Sequence, residues 1–191
     1  MSDEHPPIPS EFFENSETEA FRNCKICERD LHLGDCDYMI EKAVRIFPEV
    51  DGREVVFEYA ICMDCAMKAR QSLSKESRNK IDELLQSTQV RQNTFEAMTQ
   101  GLVRGNNATG YCMLTGKRME DVKSFQIYAY CREKHLIQGS NAFMLSDEAM
   151  EIIAGLLSEE TKDELDHFKE THFGVPPELQ DLINSRDLVL F

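Results

Sequence analysis

Between Tyr38 and Ala60 the chain alternates apolar side chains with charged ones. Tyr38-Met-Ile-Glu-Lys-Ala-Val-Arg-Ile-Phe47 interleaves Tyr, Ile, Val and Phe with charge, and Arg53-Glu-Val-Val-Phe-Glu-Tyr-Ala60 does the same. A period near two predicts a strand for each. Between them lie Pro48 to Val50 and then Asp51-Gly52. Asp-Gly favours a type I′ turn, which needs φ > 0 at both central residues, so the pair reads as a β-hairpin with Pro48 ending the first strand early. A further strand is expected at Phe125-Gln-Ile-Tyr-Ala-Tyr130, and another ends at Ala142-Phe-Met-Leu145.

Elsewhere the pattern is helical. Ala66-Met-Lys-Ala-Arg-Gln-Ser-Leu73 has helix formers and no breaker. Ser74 reads as an N-cap. After it Ile81, Leu84, Leu85, Thr88, Phe95, Met98 and Leu102 recur at three- and four-residue steps, with a break around Gln89 to Asn93. This predicts one long helix to about Gln100, or two in series. Ser146 caps a helix with Ile152, Ile153, Leu156 and Leu157 on its apolar face. Ser158 caps another to about Phe173, with Gly174 as its stop. Val175-Pro-Pro177 breaks the chain, and Pro177 opens a last short helix to about Ser185. The apolar ending Leu188-Val-Leu-Phe191 is expected to pack back on the body.

Two cysteine pairs then change the picture. Cys24-Lys-Ile-Cys27 and Cys62-Met-Asp-Cys65 have the spacing of a tetrahedral Zn²⁺ site. Two thiolates two residues apart can hold one ion from a tight turn. A second pair completes the shell and leaves no position for water or substrate, so the site is structural. Such sites bind with roughly 10–16 kcal/mol at neutral pH, comparable to the stability of a whole small domain. A CxxC pair is also a dithiol motif, but the βαβ context of redox proteins is not apparent.

The order is knuckle, hairpin, then a helix whose first turn carries the last two cysteines. Over residues 21–75 this resembles the treble-clef zinc fingers, with Cys24, Cys27, Cys62 and Cys65 in the ligand places. The resemblance implies two ligands from the knuckle and two from a helix N-terminus, whose free N–H groups favour thiolates. Treble clefs serve many functions, so it names a scaffold only.

The chain also resembles itself. Asp64-Cys-Ala-Met67 matches Asp147-Glu-Ala-Met150, and Leu73-Ser-Lys-Glu-Ser77 matches Leu157-Ser-Glu-Glu-Thr161. Upstream, Cys24-Lys-Ile-Cys27 pairs with Cys112-Met-Leu-Thr115. This alignment places Cys112, Thr115, Leu145 and Glu148 at the ligand positions, so a second copy would be metal-free and held by apolar packing. The expected fold is α+β. It comprises an acidic disordered tail (1–20), a zinc-binding unit with a long helix (21–100), a linker (101–110) and a degenerate second unit with C-terminal helices (111–191).

Composition narrows function. Met1 to Ala20 holds six acids, three prolines and no Lys or Arg, which predicts disorder. Apolar residues make up 41%, enough for a modest core, and no run is long enough to cross a membrane. No signal peptide is expected from the first residues. Seven cysteines, four of them in CxxC pairs, suit metal in a reducing compartment, so a cytoplasmic location is expected. A net charge of −14 opposes nucleic-acid binding, although Lys68, Arg70, Lys75, Arg78 and Lys80 could form a local basic patch. His32 and Cys36 are potential spare ligands, but four thiolates already fill the shell. Cys131 and His135 flank a turn without an orienting group, and His167 and His172 lie five apart on one helix. No phosphate loop, G-x-S-x-G or H-E-x-x-H motif is present. The sequence therefore predicts a non-enzymatic protein with one structural Zn²⁺ and a protein partner. A nucleic-acid-binding regulator and a thiol redox sensor are the alternatives.

Overall fold

A computed structural model describes residues 6–14, 19–137 and 142–173. The expected stop at Gly174, the short helix from Pro177 and the ending Leu188–Phe191 lie outside these. The predicted hairpin forms from β1 (Asp37–Phe47) and β2 (Gly52–Cys62). Its turn departs from type I′. A 3₁₀ turn spans Pro48–Val50, Asp51 alone takes the left-handed conformation at φ 49°, and Gly52 does not. The longer loop gives Pro48 a helical first position, which its fixed φ suits.

Three helices follow: α1 (Met63–Ser72), α2 (Lys75–Leu85) and α3 (Thr88–Thr99). Ser74 caps α2 by accepting from the Ser77 N–H, as expected. The series breaks at Gln86–Ser87, before the predicted place, because Ser87 caps a new helix by accepting from Val90 N–H. The buried stripe of α3 is Val90, Asn93 and Ala97. Then come β3 (Asn107–Cys112), β4 (Ser124–Arg132), β5 (His135–Leu136), β6 (Ala142–Ser146), α4 (Asp147–Leu156) and α5 (Glu159–Phe173).

All six strands join one sheet in the order β2-β1-β4-β6-β3, with β5 paired to β4. Only β3–β6 is parallel. β1 lies against β4 from Asp37↔Arg132 to Arg45↔Ser124, so the two halves of the chain share a sheet and a core. The expected linker is partly strand, since β3 begins at Asn107.

Both faces of β1 are covered, and its residues 38–44 are all buried. One face carries Met39, Glu41 and Ala43. On this side α1 brings Arg70 near Tyr130, and Met150 of α4 lies beside Ala43 and Gln126. The other face carries Tyr38, Ile40 and Lys42. Here the expected disordered tail proves ordered over 6–14: Ile8 and Phe12 are buried, Ile8 N–H donates to Lys134 O at 3.1 Å, and Lys42 Nζ donates to Phe13 O at 2.8 Å. Average composition registers the acids of this segment. It misses two apolar side chains that find a sheet face, each contributing about 1.5–3 kcal/mol when buried.

Where α2 and α5 begin, their caps interlock. Ser74 N–H donates to Thr161 Oγ1 at 3.0 Å, and Ser158 N–H donates to Ser77 Oγ at 2.9 Å. Ser158 Oγ donates to Ser74 Oγ at 2.9 Å. Ser77 and Thr161 are fully buried, and these exchanges satisfy polar groups that would otherwise each cost about 1–3 kcal/mol.

Candidate metal centre

Cys24 and Cys27 sit on a tight turn that precedes β1. Its backbone is closed by Cys24 N–H to Arg29 O at 2.9 Å and by Glu28 N–H to Cys24 O at 2.9 Å. The second bond needs Glu28 in the left-handed region, at φ 59°. Lys25 N–H donates to Ala60 O at 2.8 Å, which ties the turn to β2. At the end of β2 the chain enters α1, with Cys62 as N-cap and Cys65 in the first turn. The four sulfur atoms lie within 4.8 Å of one another, and Cys27 Sγ and Cys62 Sγ are 3.8 Å apart. A Zn–S bond of about 2.3 Å places tetrahedral sulfurs about 3.8 Å apart, so the set fits zinc.

The electrostatics also call for a cation. Burial raises the Cys24 thiol, but N–H groups of Cys27, Cys62 and Ile26 outweigh it and bring the thiol down to about 7. At Cys62 burial dominates and raises the pKa, although the Cys65 N–H favours its thiolate. At Cys65 burial again raises the pKa, and hydrogen bonds to Cys62 and Cys27 add to it. Thiolates this close repel one another, and a divalent cation removes both penalties. Cys24, Cys62 and Cys65 are buried and Cys27 is exposed, so the site lies just under the surface.

Arg29 was not singled out by the sequence. Its guanidinium reaches Asp64 Oδ2 at 3.1 Å and donates to Cys36, which places a positive charge beside the sulfurs. A four-thiolate zinc centre carries two net negative charges, and such a neighbour offsets them. Its position two residues after the knuckle was the available signal.

The other candidates stay apart. His32 and Cys36 are outside the four-sulfur group. Cys131 is buried within β4 and pushed up to about 12 by burial, while His135 is exposed and pairs across from Arg132. That leaves the thiol protonated and without a base. His172 packs against the Phe168 ring rather than forming a chelate with His167. Among the described residues, no other cluster of three His, Cys, Asp or Glu comes together.

No protein-family model, curated protein or solved structure matches this chain. The site must be read from its own geometry. The described helices include none long and apolar enough to cross a membrane.

Sequence reasoning missed two further features. Glu41 lies fully buried at the centre of the sheet, accepting from Tyr59 OH and lying 3.2 Å from Tyr128 OH, which donates to Gln126 Oε1 at 2.5 Å. Burial raises its pKa to about 8, although both phenols oppose the rise. Its place in an alternating charged–apolar strand disguised it as a solvent-facing residue. Asn93 of α3 is also buried. It donates from Nδ2 to Met113 O at 3.1 Å and to Leu114 O at 2.7 Å, holding the turn that follows β3.

Proposed function

We propose that this chain is a non-enzymatic, zinc-stabilised protein–protein interaction module. Cys24, Cys27, Cys62 and Cys65 would hold one Zn²⁺ as a structural cross-link between knuckle and helix. The observation that carries this is the closed set of four sulfurs, which leaves a bound ion no open position for substrate. The reading takes residues 21–75 as a treble-clef finger and residues 110–168 as its metal-free copy. Support for the copy comes from the interlocked caps Ser74/Ser158 and Ser77/Thr161, which exchange hydrogen bonds reciprocally. It places the protein in a reducing compartment, where thiols stay available to metal.

A protein partner is favoured over nucleic acid. In the basic patch, Arg70 pairs with Asp82 and Lys80 with Glu76. On α3, Phe95 and Met98 stand 68% and 53% exposed, one turn apart, while the opposite face is anchored through Asn93. Elemental analysis of protein purified without chelators tests the metal: about one zinc per chain is expected, and none refutes it. Cross-linking of tagged protein in its native cells tests the partner. Phe95→Glu/Met98→Glu should abolish a reproducible adduct, and an unchanged adduct refutes this face.

A further inference from the structure

We infer that Cys112, Thr115, Ser146 and Ala149 are the four positions of a lapsed zinc site, in which a thiol–hydroxyl network now does the work of the ion. This rests on the duplication read above, but its geometry stands on its own. The knuckle at Cys24 has a counterpart at Cys112, bond for bond. Cys112 N–H donates to Lys117 O at 2.7 Å and Gly116 N–H donates to Cys112 O at 2.8 Å, as Cys24 and Glu28 do in the first turn. Gly116 takes φ 73°, matching the left-handed Glu28. Met113 N–H donates to Met144 O at 3.0 Å, the counterpart of Lys25 to Ala60.

The helix side matches as well. Cys62 and Ser146 stand at the N-cap positions of α1 and α4. Cys62 N–H donates to Cys24 Sγ at 3.3 Å, and Ser146 N–H donates to Cys112 Sγ at 3.3 Å. An ion pair flanks each site: Arg29–Asp64 at 3.1 Å in one, Lys117–Glu148 at 2.5 Å in the other. Glu148 therefore corresponds to Asp64, and Ala149 to Cys65. The sequence alignment, which put Leu145 and Glu148 at ligand positions, is out of register by one. The shared Asp-x-Ala-Met string misled it, whereas the N-caps fix the frame.

At the second site the contacts close without metal. Ser146 Oγ donates to Cys112 Sγ at 3.3 Å, and Thr115 Oγ1 lies 3.3 Å from Ser146 Oγ. Thr115 N–H donates to Cys112 Sγ at 3.4 Å, and Ala149 N–H to Ser146 Oγ at 3.3 Å. One sulfur and two hydroxyls thus take the places of three thiolates, and Ala149, fully buried, leaves the fourth without a donor. Asn93 grips the same knuckle from outside through the carbonyls of Met113 and Leu114. Opening the 3.3 Å contacts by about 0.5 Å would give the spacing of sulfurs around zinc.

The test is to restore the missing thiols. Thr115→Cys/Ser146→Cys/Ala149→Cys, with native Cys112, should raise bound zinc by one per chain over wild type. On cobalt substitution it should add one further tetrahedral thiolate absorption band. Comparing with wild type separates this from the first site: zero rising to one would sink the native zinc assignment and keep this inference, whereas one staying at one overturns the inference alone. If the triple variant does not fold, Thr115→Cys/Ser146→Cys exchanges hydroxyl for thiol and adds no fourth donor. It should still gain cobalt at three thiolates, and no gain overturns the inference. A gain by Thr115→Cys/Leu145→Cys/Glu148→Cys in its place would equally overturn it, because it would restore the other register.

Discussion

Replacing Glu41 with Gln should remove the part of the pH dependence of this protein's stability that a buried carboxyl contributes between about pH 4.5 and 8. The carboxyl is wholly buried, and burial holds its folded pKa near 8 against 4.5 for an unburied group. The hydroxyls of Tyr59 and Tyr128 both point at the carboxyl, which limits the rise caused by burial without cancelling it. A carboxyl whose folded pKa is raised binds protons more tightly folded than unfolded. Its stabilising effect is complete below pH 4.5, is lost as pH rises towards 8, and then levels off. A gap of about 3.5 pH units at about 1.36 kcal/mol each is on the order of 5 kcal/mol, a large part of a typical domain's stability. Gln keeps the shape and can accept from Tyr59 while donating to Tyr128, so it should fold. Denaturant unfolding at half-unit steps from pH 5 to 9, with zinc held constant, gives the measurement. Wild type minus variant should fall by several kcal/mol across the interval, which cancels titrations common to both. Parallel curves would refute the buried neutral acid.

Three further outcomes bear on the metal and the second knuckle. If the four sulfurs hold zinc as proposed, Cys62→Ser should lose it and unfold the first knuckle and hairpin, because structural sites of this kind contribute roughly 10 kcal/mol; a variant with full zinc by elemental analysis and unchanged melting would refute the assignment. Acidification should release the metal as protons compete for the thiolates, followed with a chromogenic chelator from pH 8 to 4, and release independent of pH would count against thiolate ligands. Asn93→Ala leaves the Met113 and Leu114 carbonyls without their donor and should cost about 2–3 kcal/mol in a thermal or denaturant melt, whereas a loss below about 0.5 kcal/mol would deny Asn93 its role.

The sequence by itself determined whatever depends on neighbours along the chain. Alternation between Tyr38 and Ala60 specified the hairpin, the serines at 74, 146 and 158 specified three caps, and the CxxC spacing specified two pairs of sulfurs, each held within one turn. These signals are local because strand period, capping and bidentate geometry are all set within a few residues. Only the tertiary structure decided the rest. The pairing of β1 with β4 merged two expected units into one sheet and buried Glu41, since burial depends on what arrives from residues 128 and 126. Ile8 and Phe12 found a face that composition could not reveal. The register of the second knuckle was fixed by the Ser146 N–H on the Cys112 sulfur, a contact across thirty-four residues. A match of residue types cannot settle such a one-residue slip, because hydrogen bonds act between positions in space and not between letters in a string.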